Sequence, residues 1–360
     1  MRKILVGLDR SELSTQVLQQ AIAIAKRWGA QIRLIHSMVD SEPDAPQQAF
    51  YMGEHYYPMI DRALIDAYQR DWNEFVSHTR SWLDQQASTA IDAGVEATYE
   101  LTYGNPGGKL CDAAERWDAD AIIVGSRGRS AWSEWLLGSV SNYVMRRSPC
   151  SVMIVRPSDV IKLELRKSGA STTADVVPPA PTQRILVPVD RSDTSEQAIA
   201  EAVSLAKAYG AELKLVHVLV EGDPGSPKMP LFDNSQYIVE YTRTITDRYH
   251  QEWNKFVNDW WVWLRSQAAT LEAEGVTVSY DVMQGLAGQQ ICQLAEQWSA
   301  DLIVIGCRGL SGLREMLVGS TSHYVSHRAS CSVWVTHPKS PEAAATPLEA
   351  DAHRSSAVMT

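Results

Sequence analysis

Short apolar runs alternate with longer stretches of helical periodicity along this chain. Residues 4–8 (Ile-Leu-Val-Gly-Leu) have the length and character of a buried parallel strand. From Ser11 to Trp28, Val17, Ala21, Ile24 and Ala25 fall on one helical face. Ser11 is placed to cap that helix and Gly29 to stop it. The pattern then predicts a strand over 32–37, a long helix over 59–93 ended by Gly94, and an alternating strand over 95–101. It continues with a helix over 109–117, a buried strand over 121–124 ending at Gly125, a helix over 139–147 and a fifth strand over 152–155. Strands that alternate with helices predict βαβ units, a parallel sheet and right-handed crossovers. Ligands of such folds sit outside the carboxyl ends of the strands. The loops after Leu8, Ser37 and Val124 should therefore converge on a site.

The same pattern occurs twice. Residues 3–11, with Asp9 and Ser11, recur at 184–192, with Asp190 and Ser192, at an offset of 181. Trp72 and Trp253, Cys111 and Cys292, Trp117 and Trp298, Gly125 and Gly306, and Cys150 and Cys331 keep that offset. A constant offset leaves little room for net insertion, so one domain has been duplicated. The period is far longer than the ~20–50 residues of a solenoid unit. The chain divides into a first domain over 1–157, a linker over 158–182, a second domain over 183–338 and a tail over 339–360. The linker is rich in Ser, Thr and Pro, and the tail has little periodicity and is expected to be mobile.

Composition narrows the classes. Hydrophobic residues make up 45% of the 360 and charged residues 21%, which excludes disorder as the dominant state. The net charge of −10 argues against nucleic-acid or anionic-membrane partners, which need a basic face. No apolar run approaches the ~20 residues that cross a bilayer. The start, Met1-Arg2-Lys3 followed by three apolar residues, is too short for a signal sequence. The five cysteines are odd in number and lack metal-ligand spacing, so a reducing cytoplasm is expected. Several of the twelve tryptophans, among them Trp253, Trp260, Trp261 and Trp263, fall in the long second helix. Packing against the sheet or between the halves is the expected role.

The chemistry sits in a glycine pattern. Gly125-Ser126-Arg127-Gly128 is followed after nine residues by Gly138-Ser139-Val140-Ser141. The second half carries Gly306-Cys307-Arg308-Gly309 and Gly319-Ser320-Thr321-Ser322 at the same spacing. Glycines after a buried strand admit close approach of a ligand, and successive N–H groups there form an anion nest. Gly138 and Gly319 open helices, whose first free N–H groups favour phosphate, with Ser139 and Ser141 as further donors. The alternative is a tight turn that only terminates the strand. No Walker lysine motif, nucleophile elbow or H-E-x-x-H occurs.

This pattern, the first strand ending in Asp9, and Gly104-Asn105-Pro106 before a helix resemble a universal stress protein domain of the ATP-binding branch. The resemblance covers residues 2–157 and 183–338. It implies an α/β fold: two tandem five-stranded parallel-sheet domains of the adenine nucleotide alpha hydrolase-like type. It also implies an intramolecular pseudo-dimer whose final strands, 152–155 and 333–335, lie antiparallel with Trp334 at the junction. A further homodimer is left open. The implied cofactor is ATP, or ADP or AMP, with Mg. Asp9 and Asp190 would face the ribose or a metal, or else serve only as helix caps. Gly7 and Pro188 would line the pocket, and Ser37 and Val218 would lie beside the adenine. Gly125, Ser126, Gly128, Gly138, Ser139, Val140 and Ser141 would hold phosphates and ribose. So would Gly306, Cys307, Gly309, Gly319, Ser320, Thr321 and Ser322. Arg127 and Arg308 either clamp phosphate or remain solvated. Ala287 in place of Pro106, and Cys307 in place of Ser126, are departures that bear on affinity. His36 and His217 are expected as packed core residues, and Cys307 as a small loop residue rather than a redox centre. No catalytic residue is assigned. The expected function is a nucleotide-binding stress-response protein whose ligand is structural or signalling. A slow ATPase and a nucleotide-free interaction scaffold are the alternatives.

Overall fold

The computed structural model describes residues 1–42, 44–46, 62–127, 137–157, 182–220, 222–223, 225–228, 239–308 and 318–338. The first half runs β1 (Lys3–Gly7), α1 (Glu12–Trp28), β2 (Gln31–Met38), α2 (Arg62–Asp92), β3 (Ala97–Tyr103), α3 (Pro106–Trp117), β4 (Ala121–Gly125), α4 (Ser139–Arg147) and β5 (Ser151–Val155). The second repeats it as β6 (Arg184–Pro188), α5 (Asp193–Tyr209), β7 (Glu212–Leu219), α6 (Val239–Ala273), β8 (Val278–Gln284), α7 (Ala287–Gln297), β9 (Leu302–Gly306), α8 (Ser320–Arg328) and β10 (Ser332–Thr336). Residues 59–61, linker residues 158–181, the tail, Gly128 and Gly309 lie outside the described residues.

The strands form one ten-stranded sheet in the order β3-β2-β1-β4-β5-β10-β9-β6-β7-β8. Within each half the pairing is parallel. The halves meet where β10 pairs antiparallel with β5, as Val333↔Ile154, Trp334↔Met153 and Val335↔Val152. Met153 and Trp334 are counterparts in the repeat, so the pseudo-twofold axis passes through that pair. The central strands are apolar on both faces because helices cover both. One face packs under α1, α2, α5 and α6, the other under α3, α4, α7 and α8, and each core runs through both halves.

Two boundaries differ from the sequence pattern for local reasons. Helix α3 begins at Pro106 because Asn105 Oδ1 accepts the Gly108 N–H and proline suits the first turn. Strand β3 begins at Ala97 because Val95 is still in the turn closing α2, its N–H donating to Ala90 O.

Candidate functional site

The end of β1 sets the geometry. Asp9 Oδ1 accepts from Ser11 N–H (3.1 Å), Ser11 Oγ (2.5 Å) and Ser14 Oγ (2.8 Å). In return the Asp9 N–H donates to Ser14 Oγ. Asp190 repeats the arrangement with Ser192 and Ser195. Both aspartates therefore organise the entry to a helix. Both cap-position serines donate their hydroxyls to the aspartate, but only Ser192 also accepts a cap bond, from the Ser195 N–H; Ser11 makes none. The next residue is left-handed in both halves, Arg10 at φ 59° and Arg191 at φ 60°. A non-glycine residue in that region is uncommon, and strain of this kind gathers at functional loops. Neither arginine was marked by the sequence, since glycine is the usual signal for positive φ.

The described ends of the glycine loops are built alike. Ser126 N–H donates to Val155 O, Gly138 N–H to Ser126 O, and Ser141 Oγ to Ser126 O and Gly138 O. Cys307, Thr336, Gly319 and Ser322 make the same set. Each loop is thus pinned to its final strand and closed onto the start of the helix that follows. Ser141 and Ser322, expected beside phosphate, are buried and donate their hydroxyls inside the loop. Ser139 and Ser320 are exposed at the helix starts, beside the half-buried Val140 and Thr321. The N–H groups of these first-turn residues have no partner within the helix. Among the described residues, Ser126 Oγ is buried without a hydrogen-bond partner.

At Gly125 a Cβ would stand 2.9 Å from Leu13 Cδ2 and 3.2 Å from Arg127 O, so the Leu13 side chain would have to shift. At Gly306 a Cβ would meet Thr194 at 2.9 Å. Thr194 also ties its hydroxyl to Arg308 O, a brace that Leu13 cannot make in the first half. At Gly7 a Cβ would enter Leu110 and Val124, so packing accounts for this glycine. Pro188 is buried at the equivalent strand end. Ser37 is buried and donates to Gly104 O, holding the ends of β2 and β3 together. Val218 is buried at the matching place. Arg127 and Arg308 are half-buried beside the loops. Leu286 caps α7 without a side-chain bond, where Asn105 caps α3 with one.

The histidines behind the loops are buried, with Nδ1 of His36 2.8 Å from Leu8 O and Nδ1 of His217 2.8 Å from Val189 O. Their surroundings then diverge. His36 Nε2 lies 3.1 Å from Glu42 Oε1, a carboxylate partner that sequence spacing did not reveal. His217 is stacked on Trp260 at 3.4 Å, with the Arg191 guanidinium on that indole at 3.9 Å. Burial pushes the His217 pKa down. Cys307 is buried, and burial raises its thiol pKa.

A cavity of about 350 Å³ opens beside Arg10, lined also by Asp44, Asp71, Glu74, Phe75 and His78. Its three carboxylates disfavour phosphate, so it is separate from the chemistry of the glycine loops. Among the described residues, no group of three or more His, Cys, Asp or Glu side chains could hold a metal. None of the described helices is long and apolar enough to cross a membrane.

The profile of the universal stress protein family matches residues 1–156 and 181–337. Universal stress protein Sll1388 of Synechocystis sp. is 36% identical over 157 residues, which are 43% of this chain and 97% of that protein. Universal stress protein MT2698 of Mycobacterium tuberculosis is 24% identical over 333 residues, 92% of this chain and 95% of that protein. The crystal structure of a universal stress protein from Archaeoglobus fulgidus aligns with a TM-score of 0.56 at 22% identity, covering 93% of this chain and 95% of the other.

Proposed function

This chain belongs to the universal stress protein family, and from that premise we propose that each of its two domains binds an adenine nucleotide, ATP with Mg foremost, as a structural or signalling ligand in a stress response. The observation that carries the reading is the paired loop. In both halves a strand-end glycine, a pinned residue and a closing serine aim the start of a helix at the carboxyl edge of the sheet. That is the backbone arrangement that suits a phosphate chain, and Ser126 Oγ adds a buried polar atom beside it. The free amides of Ser139, Val140, Ser320 and Thr321 would meet phosphate oxygens, with Arg127 and Arg308 as flanking cations. Mg would supply charge neutralisation on the phosphates. Asp9 and Asp190 keep the loop between strand and helix in shape.

The same residues support a binder over an enzyme. Phosphoryl transfer needs a positioned base and charge stabilisation at the transferred group. Asp9 and Asp190 are instead engaged by the hydroxyls and amides of their own loops.

The test is direct. Purified protein, denatured and run on a nucleotide-resolving column, should release adenine nucleotide, and calorimetry should count one site per domain. Gly128→Val with Gly309→Val should abolish binding, since a β-branched residue in either motif obstructs the approach of phosphate to backbone. Unchanged stoichiometry in the double variant would overturn the reading. Phosphate release at the median enzyme rate of about 10 s⁻¹, lost in Asp9→Asn with Asp190→Asn, would make the protein an ATPase instead.

A further inference from the structure

The two domains are cross-braced on the face of the sheet covered by α4 and α8. Arg156, just past β5, donates through Nη2 to Ser326 O in α8 of the other domain. His337, its counterpart past β10, has Nε2 2.9 Å from Met145 O in α4. The repeat offset relates both partners, so the braces are pseudo-symmetric. Their chemistry is not. Arg156 is 7% exposed, and among the described residues no carboxylate pairs with it. A buried guanidinium without a counter-charge is costly and calls for an anion.

Other unsatisfied atoms border it. Among the described residues, Arg156 Nε, Ser326 Oγ and His327 Nε2 are all buried without a hydrogen-bond partner. His323 and His327, one helical turn apart on α8, place their rings 4.3 Å apart. Arg146 of α4 and Arg328 of α8 are exposed and add positive charge around His327. Burial and these cations hold the His327 pKa down to about 4, while Arg156, lowered to about 10, stays charged at neutral pH. The cluster therefore runs from solvent at Arg146 to the buried guanidinium, in a protein whose net charge is −10.

We propose that Arg156, Ser326, His327 and Arg146 form an interdomain site for a phosphate-class oxyanion at one of the two braces. A tetrahedral oxyanion offers several acceptors at once. It would satisfy the Nε–H of Arg156, the Ser326 hydroxyl and an Nε2–H of His327. The planar guanidinium suits it better than it suits a monovalent halide. A transition metal on the His323–His327 pair fits less well, because three arginines repel a dication. The oxyanion has two sources, free inorganic phosphate or the phosphate chain of a nucleotide seated in the neighbouring loop, since Arg127 lies in the field of Arg156. The site itself does not depend on nucleotide binding.

The test compares full-length wild type, Arg146→Gln and Arg156→Gln. Thermal midpoints are read in sodium phosphate against sodium chloride at equal ionic strength, with and without saturating ATP. Phosphate should raise the wild-type midpoint by a few degrees, following mass action on the folded state. Arg146→Gln, an exposed change compatible with folding, should cut the apparent phosphate affinity about tenfold, or ~1.4 kcal/mol. An effect that persists under ATP identifies free phosphate as the occupant. An effect displaced by ATP, with Arg146→Gln also weakening ATP, identifies the nucleotide's own phosphates. Displacement by ATP with both affinities untouched in Arg146→Gln would put phosphate in the glycine loops and overturn the proposal. So would the absence of any phosphate effect alongside unaltered ATP affinity. A protein that ignores ATP yet keeps the phosphate effect would refute the nucleotide reading alone.

Discussion

Trp334 donates its indole N–H to Glu201, a carboxylate from the same domain, while its ring stands edge-on to Trp28 of the other at 6.1 Å. Ser151 and Thr336 donate their hydroxyls to the same carboxylate. This network lies at the middle of the ten-stranded sheet, on the face opposite Arg156. Trp334 is fully buried. Replacing it with Phe keeps much of the packing and removes one donor from a buried carboxylate. The expected cost is ~1–3 kcal/mol. In a denaturant double-mutant cycle with Glu201→Gln, the two changes should couple clearly. Additive free energies would show that the bond contributes nothing.

Glu201 also predicts a pH dependence. Burial raises its pKa, against the partial lowering by its three hydrogen bonds. The folded protein therefore holds the proton better than the unfolded chain. The stability linked to this proton is fully present below the unfolded-state pKa. It is lost as pH rises from the ordinary carboxylate range through the raised value. Glu201→Gln removes that decline. The midpoint of the Gln variant relative to wild type should grow as pH rises toward neutrality. A difference that stays flat with pH would sink the assignment.

Gly107 and Gly288 are required by contact between helices. A Cβ at Gly107 would stand 2.7 Å from Tyr143 Cδ1 and 2.9 Å from Tyr143 Cβ, an atom that cannot swing away. At Gly288 the nearest Tyr324 atom is at 2.6 Å. Alanine at either place gains helix propensity of about 1 kcal/mol at most. Overpacking costs ~1–3 kcal/mol and should win. In a Tyr143→Ala background, which removes the ring contacts but keeps Cβ, the cost of the same substitution should shrink without vanishing. A Gly107→Ala protein as stable as wild type would contradict the packing.

The thiols should be quiet. Burial pushes Cys111 and Cys292 up to about 11 and Cys331 up to about 12, so few thiolates exist at neutral pH. Mass spectrometry after iodoacetamide should find slow labelling of the native protein. After denaturation it should find five adducts per chain, since all five cysteines are free thiols. Rapid native labelling at one site would mark a reactive cysteine.

Much of this architecture was legible because the repeat carries it. The offset of 181 predicts which residues are counterparts, and the antiparallel register at Met153 and Trp334 respects it. Apolar runs such as Ile122–Val124 read directly as central strands because both of their faces are covered. Side-chain direction was not legible. Ser141 has the right type for a phosphate donor, but its hydroxyl turns to Ser126 O, a choice that depends on where the loop closes. The pairing of His36 with Glu42 crosses the end of a strand, which spacing does not encode. Arg10 adopts a glycine-like conformation because Asp9 and Ser14 fix the loop around it, a collective effect with no single-residue signature.

The register at the axis has an evolutionary consequence. In a dimer of identical chains, a residue on the twofold axis must face its own copy. A tryptophan there would meet a tryptophan and crowd the sheet, while a methionine opposite a methionine would leave the space thinly filled. Joining two domains in one chain lifts that restriction. Met153 can stand against Trp334, and Glu201, whose counterpart in the repeat is Gln20, can gather hydrogen bonds from Ser151, Trp334 and Thr336. Arg156 and His337 can likewise part company at equivalent positions. Covalent linkage thus turns a seam bound by symmetry into one where each half can specialise without spoiling the fit of the other.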